Sequence, residues 1–198
     1  IKAYVITIMD NKRSLQVAKR CVKHAAYYDI DVKLFEATTP KDKPIKMLKA
    51  LNIEPAGFTE VYSRPDRCMS AFLSHHRLWE KCAEENNEPY IIFEHDAIMT
   101  GQLGIMPRIH WDAPVLVSIG APSYGKFNVP SKLGLNKLMS KQYLPGAHAY
   151  IINPQAAQAL IDRAKIDASP TDVFIHNDRF NFLHELYPYC LLYTSPSP

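Results

Sequence analysis

The chain has 198 residues, of which 47% are hydrophobic and 22% charged, and its formal net charge is +3. This charge is too small to indicate a nucleic-acid partner, and no apolar run approaches the roughly 20 residues that span a bilayer. The composition therefore excludes those two classes and predicts a soluble protein with one sizeable core.

Apolar spacing predicts alternating strands and helices in the first half of the chain. Strands are predicted at residues 4–8 and 32–35, with a helix at residues 14–26 between them. Residues 40–66 are rich in proline and lysine and are predicted as loop around a short helix at 45–51, bordering a site. A helix of about four turns is then predicted from apolar residues at helical spacing: Met69, Phe72, His76, Trp79 and Ala83.

The second half continues the alternation, with strands predicted at residues 115–119 and 149–152. Residues 123–142 lie between them, are polar with little apolar period, and are predicted to form a mobile lid. Asn153 and Pro154 are the predicted N-cap and first residue of the next helix. Strands separated by helices predict an α/β fold, a mostly parallel sheet flanked by helices.

The cysteine spacing and the composition of the last residues bear on the expected kind of domain and its bounds. The four cysteines are far apart: Cys21, Cys68, Cys82 and Cys190. Without a C-x-x-C pair, neither a zinc site nor a disulfide scaffold is predicted. We expect one domain over residues 1–190 and a disordered or non-native tail over 191–198, where serine and proline dominate.

One predicted strand ends on a group of acidic residues. The apolar run at residues 90–93 stops at Glu94-His95-Asp96. Four large apolar residues in a row predict a strand buried on both faces, and such strands deliver their chemistry at the carboxyl end. Carboxylates one residue apart on an extended chain point to the same side, so Glu94 and Asp96 can share a divalent cation. The alternative is an ordinary solvated junction between strand and loop.

These segments together resemble glycosyltransferase family 25, which includes lipooligosaccharide and collagen galactosyltransferases. The resemblance covers about residues 3–188 in the family's order and spacing. It is carried by four stretches: Tyr4-Val5-Ile6-Thr7-Ile8-Met9-Asp10 with Arg13 behind it, Cys68-Met69-Ser70-Ala71-Phe72-Leu73-Ser74-His75 leading to Trp79, Glu94-His95-Asp96, and Gly146-Ala147-His148-Ala149-Tyr150-Ile151-Ile152.

The resemblance implies a fold and an activity. It implies a GT-A-like nucleotide-diphospho-sugar transferase fold and a divalent cation, usually Mn²⁺. It also implies inverting transfer of a hexose, galactose or glucose, from a UDP-sugar to a glycan or hydroxylated acceptor. The expected location is the cytoplasm, with association at the membrane surface allowed.

The sequence departs from the family pattern at two places. The family usually has Glu-Asp-Asp where this chain has Glu94-His95-Asp96. Histidine is also an acceptable manganese or zinc ligand, so the change can retune the metal rather than abolish it. Residues 65–67 read Pro-Asp-Arg where the family tends to have Gly-Glu and a hydrophobic residue, which affects the local turn rather than the helix.

The resemblance also selects candidate site residues. Asp96 is the first choice of metal ligand, with His95 beside it, and Glu94 binds either the cation or the ribose hydroxyls. The nucleotide-sugar candidates are Thr7, Asp10, Arg13, Ser74, His75, Glu94 and His148. His148 reaches the donor phosphate or the cation, or is a hydrogen-bonded core histidine. The alternative for Arg13 is an exposed residue at the start of a helix, and the alternative for His75 is a surface or core-edge histidine.

A general base is also required, and Asp172 is the candidate. It matches an aspartate that the family carries after the strand and helix that follow Gly146, and a base would contribute on the order of 10² to 10⁴ in rate. The alternative is that residues 169–172 form a Ser-x-x-Asp capping box, in which Asp172 satisfies a helix N-terminus. Two rival functions remain open, a non-catalytic glycan- or nucleotide-binding relative and a sugar-nucleotide hydrolase.

Overall fold

A computed structural model describes residues 1–59, 64–104 and 109–193, and the elements below are those of the described residues. In chain order they are β1 (Lys2–Thr7), α1 (Lys12–Ala26), β2 (Val32–Glu36), a 3-10 turn (Pro40–Asp42), α2 (Pro44–Ala50), a 3-10 turn (Pro55–Gly57), α3 (Pro65–Glu85), β3 (Tyr90–Glu94), β4 (Ala97–Met99), β5 (Leu116–Ser118), β6 (Gly134–Lys137), β7 (Ala149–Ile152), α4 (Pro154–Asp167), α5 (Thr171–Phe174), β8 (Leu183–Tyr187) and β9 (Leu191–Tyr193). None of the described helices has both the length and the apolar character needed to cross a membrane.

The main sheet has seven strands in the order β2-β1-β3-β7-β5-β8-β6, and β4 pairs separately with β9. Strands β1, β2 and β3 are parallel, as are β5 and β8. Strand β7 is antiparallel to both β3 and β5, and β6 is antiparallel to β8. The predicted α/β fold with a mostly parallel sheet is confirmed, with β6 and β7 as the antiparallel members.

The central strand β3 is buried on both faces because its residues alternate between two hydrophobic clusters. Tyr90 and Ile92 pack in one cluster with Trp79 of α3. Ile91 and Phe93 pack in the other cluster, which also contains residues of α1. All four strand residues are 0% exposed. The packed strand therefore holds its last residue, Glu94, in a fixed position at the carboxyl end of the strand.

Side-chain caps fix the helices that flank the sheet. The Asn153 side chain accepts a hydrogen bond from the backbone N–H of Ala156 at 3.0 Å, which confirms the predicted N-cap of α4. It also accepts from the N–H of Val115 at 2.9 Å and so ties α4 to the start of β5. Asn11 caps α1 in the same way, accepting from Ser14 at 3.0 Å.

The predicted lid is part of the sheet edge. Residues 123–142 contain β6, which pairs with β8. The buried Glu185 of β8 accepts hydrogen bonds from the backbone N–H groups of Met139 and Ser140 at 2.8 and 2.9 Å. Sequence reasoning missed β8 because a glutamate at a buried position interrupts the apolar alternation that marks a strand, and it missed β6 because Gly134–Lys137 has a single apolar residue. Residues 123–142 therefore contain a strand that the sequence analysis did not predict, and their mobility as a lid stays a prediction.

The first three residues of the predicted tail form a strand. Leu191–Tyr193 forms β9 and pairs with β4, and Leu191 is 1% exposed. Burial of this leucine against the sheet stabilises a strand that the serine- and proline-rich composition did not indicate. The remaining tail residues, 194–198, lie outside the described residues.

Candidate functional site

A cleft of about 750 Å³ opens at the carboxyl ends of β1 and β3, and its size suits a small-molecule site. Ile8 and Glu94, at the ends of these two strands, lie in its wall. The first half of α3 forms a second side, and residues 37–41 after β2 form a third. The carboxyl ends of neighbouring parallel strands are where open α/β sheets bind their ligands. The prediction that residues 40–66 border a site thus agrees with the cleft wall.

Three ionisable side chains meet beside this cleft, and we call Glu94, Asp96 and His148 the acid–histidine cluster. Each offers one ligand atom, and the three atoms lie within 4.8 Å of one another. Glu94 ends β3 and Asp96 follows in a turn, whereas His148 directly precedes β7. The backbone N–H of Glu94 donates to the His148 carbonyl at 2.8 Å, so the antiparallel pairing of β3 with β7 brings the three residues together.

Two imidazoles flank the Glu94 carboxylate. His148 Nδ1 lies 3.5 Å from Oε2, and His75 Nε2 lies 3.5 Å from Oε1. Burial alone would raise the pKa of Glu94, but the hydrogen bonds from His148 and His75 outweigh burial and lower the pKa to about 2. Glu94 is therefore a carboxylate at neutral pH.

Asp96 is held in a different electrostatic environment. Burial, and then the nearby Glu94 charge, raise the pKa of Asp96 above its ordinary value. His148 Nδ1 lies 3.9 Å from Asp96 Oδ1 and acts in the opposite direction. A divalent cation between the two carboxylates would remove the repulsion that raises this pKa.

The ligand chemistry of the acid–histidine cluster fits a divalent cation. Carboxylate oxygens suit Mg²⁺ and Mn²⁺, and an imidazole nitrogen suits transition metals. The predicted ligands Glu94 and Asp96 are brought together, and the third member of the cluster is His148, which was expected to reach the donor phosphate or the cation, rather than His95. His95 lies in the wall of the cleft instead. His95 and Asp96 lie in the turn that follows β3, and the part of the chain that the structure describes does not include His95 in the acid–histidine cluster.

Among the predicted nucleotide-sugar residues, Asp10, Ser74 and His75 line the cleft. Asp10 forms an ion pair with Lys41 at 2.6 Å, and the hydrogen bond from this lysine lowers the pKa of Asp10. The Ser74 hydroxyl accepts from the N–H of Thr38 at 2.9 Å and so joins α3 to the residues after β2. His75 is 1% exposed and also contacts Glu94, as described above.

Thr7 and Arg13 are not among the described residues that line the cleft. Thr7 is 0% exposed, and its hydroxyl donates to the carbonyl of Val5 at 3.0 Å. Arg13 lies exposed on the first turn of α1, which matches the surface alternative for this residue. The N-cap residue of α1, Asn11, does line the cleft, so the cleft reaches the start of this helix and Arg13 lies two residues further on.

Asp172 lies apart from the described cleft lining, on the short helix α5. Its carboxylate accepts hydrogen bonds from the Tyr124 hydroxyl at 2.9 Å and from the N–H of Val173 at 3.0 Å. The predicted capping box does not form, because Pro170 is the N-cap residue and makes no side-chain cap bond. Asp172 still satisfies one backbone N–H of the first turn.

Sequence reasoning missed the positive charge at the cleft. Arg64, Arg67 and Lys41 all line it. Arg64 pairs with Asp66 at 3.2 Å, within the segment that departs from the family pattern. The signal that could have revealed these side chains was the arginine at position 67, which stands where the family tends to have a hydrophobic residue.

Solved structures with a similar fold include two of the glycosyltransferase GlyE from Streptococcus pneumoniae TIGR4, one in the apo form. The apo form is 13% identical with a TM-score of 0.48, and the match covers 93% of this chain and 44% of that one. The other is 11% identical with a TM-score of 0.47, covering 94% and 45%. The chain thus spans less than half the length of these structures, and at such scores the likeness carries no inference about function. No curated protein matches the chain.

The match to a family model is more informative. The model for glycosyltransferase family 25, described as an LPS biosynthesis protein, matches residues 1–108, which is more than half of the chain. The matched part includes β1, the cleft-lining half of α3, and Glu94 and Asp96 at the end of β3. The chain belongs to glycosyltransferase family 25.

Proposed function

We propose that this chain is a metal-dependent, inverting glycosyltransferase with a GT-A-like domain over residues 1–190. It would move a hexose, galactose or glucose, from a UDP-sugar to a glycan or hydroxylated acceptor. The observation that carries the proposal is the position of the acid–histidine cluster beside a cleft of about 750 Å³ at the strand ends. Family membership adds the class of reaction.

The acid–histidine cluster would hold a divalent cation such as Mn²⁺ through Glu94, Asp96 and His148. A bound cation supplies charge stabilisation for the departing diphosphate without proton transfer. Arg64, Arg67 and Lys41 line the same cleft and would attract the anionic donor. Asp10, which pairs with Lys41 in the cleft lining, would contact the nucleoside end of the donor.

Asp172 is the proposed general base. A base has to accept a proton from the acceptor hydroxyl on the face of the sugar opposite to the leaving group. Asp172 is hydrogen-bonded to the half-exposed Tyr124, and its backbone carbonyl accepts from the N–H of Leu144, four residues before His148. This backbone bond ties the aspartate to the loop that carries the third cluster residue.

The family description as an LPS biosynthesis protein supports a glycan acceptor and a cytoplasmic site of action at the membrane surface. A peripheral association would bring the enzyme to a lipid-linked acceptor.

The test is release of UDP from UDP-galactose and UDP-glucose, measured with Mn²⁺ or with a chelator, with and without glycan acceptors. The proposal expects release that requires Mn²⁺ and rises with an acceptor. Binding of UDP without turnover of either donor would favour a non-catalytic relative. Release at the same rate without any acceptor would favour a sugar-nucleotide hydrolase.

A further inference from the structure

A chain of buried hydrogen bonds leads from the core to the Glu94 carboxylate. Trp79 Nε1 donates to the Tyr150 hydroxyl at 2.8 Å, and the same hydroxyl lies 2.8 Å from His75 Nδ1. His75 Nε2 then lies 3.5 Å from Glu94 Oε1. Trp79 and Tyr150 are 0% exposed and His75 is 1% exposed, so water does not compete for the two bonds at the Tyr150 hydroxyl.

The donors and acceptors of this chain can be assigned from elementary chemistry. The Trp79 indole can only donate, so the Tyr150 oxygen accepts from it. The Tyr150 hydroxyl proton then needs an acceptor, and His75 Nδ1 is the ring nitrogen within reach. This leaves the proton of a neutral His75 on Nε2, where it points at a carboxylate oxygen.

The opposite arrangement is unfavourable at both ends. A proton on Nδ1 alone would turn a lone pair of Nε2 towards the Glu94 carboxylate. It would also leave the Tyr150 hydroxyl proton without its His75 acceptor in a fully buried position. Only the Nε2–H form of neutral His75 satisfies every group in the chain.

We infer that Tyr150 and Trp79 are positioning residues, which fix His75 as its Nε2–H tautomer and thereby hold the Glu94 carboxylate in place in the acid–histidine cluster. Partners behind the groups that contact a ligand commonly set its affinity through the orientation of those groups. The stacked arrangement of the His75 and Tyr150 rings, with centroids 5.7 Å apart and planes 20° from parallel, further restrains the imidazole. The positioning role rests on the proposed cation site, whereas the tautomer does not.

The test combines Tyr150→Phe with a matched control, Tyr90→Phe. Tyr90 is also a fully buried tyrosine on a neighbouring strand, but its hydroxyl donates to Glu85, at the other end of β3. Long-range ¹H–¹⁵N correlation spectra of the cation-free protein show which nitrogen of His75 carries the proton. Mn²⁺ titration of each variant gives the cation affinity, and thermal melting confirms folding.

We expect the proton of wild-type His75 on Nε2, and a shifted Nδ1 resonance in Tyr150→Phe but not in Tyr90→Phe. Tyr150→Phe should bind Mn²⁺ about 10- to 100-fold more weakly, with Tyr90→Phe unchanged. A proton on Nδ1 in the wild type, or wild-type Mn²⁺ affinity in Tyr150→Phe, would overturn the inference. If the wild type binds no Mn²⁺, the proposed cation site and the positioning role both fail, and the spectra still decide the tautomer.

Discussion

Two glutamates flank β3, and their surroundings differ although both have a pKa of about 2. Glu85, at the end of α3, contacts the start of the strand and forms ion pairs with Lys2 at 2.6 Å and Lys81 at 2.7 Å. Glu94, at the carboxyl end, has as its described ion-pair partners the imidazoles of His75 and His148.

The comparison shows that the pKa of a glutamate can be lowered in two different ways at the two ends of β3. At Glu85 the hydrogen bonds from Lys2, Lys81 and Tyr90 lower the pKa, so lysine charges from within the chain balance the carboxylate. At Glu94 the carboxylate is stabilised against burial by imidazoles, and a second carboxylate, Asp96, lies within ligand distance. The first arrangement stabilises the fold, and the second suits an external cation.

The largest expected effect comes from the matched pair Glu94→Gln and Glu85→Gln. Glu94→Gln removes a charged ligand from the acid–histidine cluster and should weaken Mn²⁺ binding by more than about 100-fold. Glu85→Gln should leave Mn²⁺ binding unchanged, because Glu85 lies at the opposite end of the strand. Isothermal titration measures the Mn²⁺ affinity of both variants. An equal loss of affinity in the two variants would contradict the different roles of the two glutamates.

The next effect concerns the rate rather than binding. Asp172→Asn keeps an oxygen that accepts from the Val173 N–H and offers the Tyr124 hydroxyl an amide N–H donor in place of the second oxygen, but it loses the form that accepts a proton. We expect a loss on the order of 10² or more in transfer rate, with Mn²⁺ and UDP binding retained and a melting temperature within a few degrees of wild type. Steady-state kinetics and thermal melting check this. Near-normal turnover would contradict a role as general base. Asp172 would then serve only to accept the backbone N–H in the first turn of α5.

A smaller effect is expected from Gly146→Ala, which crowds His148. A Cβ at Gly146 would lie 2.0 Å from His148 Nε2, so the imidazole must leave its present position in the cluster. Gly134→Ala is the control, since Gly134 has a similar positive φ of 91° against 84° at Gly146 but nothing within 4 Å of its Cβ position. Both variants carry the backbone cost of an alanine at positive φ, of roughly 1 kcal/mol.

Gly146→Ala should therefore weaken Mn²⁺ binding by about tenfold, whereas Gly134→Ala should not. Comparable melting temperatures for the two variants would show that the backbone cost is shared. A Gly146→Ala protein with wild-type Mn²⁺ affinity would mean that His148 does not need its present position.

The smallest effect is on stability and comes from the Glu85 ion pairs. The folded pKa of Glu85 is lowered to about 2, so its contribution to stability is present above the unfolded pKa of about 4.3 and is lost as the pH falls through the folded value. We expect Glu85→Gln to lower the melting temperature by at most a few degrees at pH 7 and by progressively less between pH 5 and pH 2. If the difference in melting temperature between wild type and Glu85→Gln stayed constant from pH 5 to pH 2, the lowered pKa of Glu85 would be contradicted.

Much of the fold near the cleft could be predicted from local sequence. The apolar run of β3 and the acidic residues after it are adjacent in sequence, so their relation needed no knowledge of distant contacts. The N-cap at Asn153 was equally local. Motif resemblance supplied the candidate residues on α3, and the structure places Ser74 and His75 in the cleft wall.

Long-range pairing could not be read in the same way. His148 joins Glu94 and Asp96 because β7 runs antiparallel to β3, which no local pattern indicates. Strand β8 was missed because Glu185 occupies a buried position and is satisfied by backbone N–H groups from residues 139–140. The role of Tyr150 was hidden in an apolar strand, since only the packing of α3 against β7 brings its hydroxyl to His75.

The most direct test of the cation site is a titration with Mn²⁺ alone, followed by electron paramagnetic resonance, of the wild type and Asp96→Asn. The substitution keeps the size of the side chain and removes its negative charge. We predict saturable binding of Mn²⁺ to the wild type and its loss in Asp96→Asn, with both proteins folded by circular dichroism. Equal binding by the two proteins, or no saturable binding by the wild type, would contradict a cation site at the carboxyl end of β3.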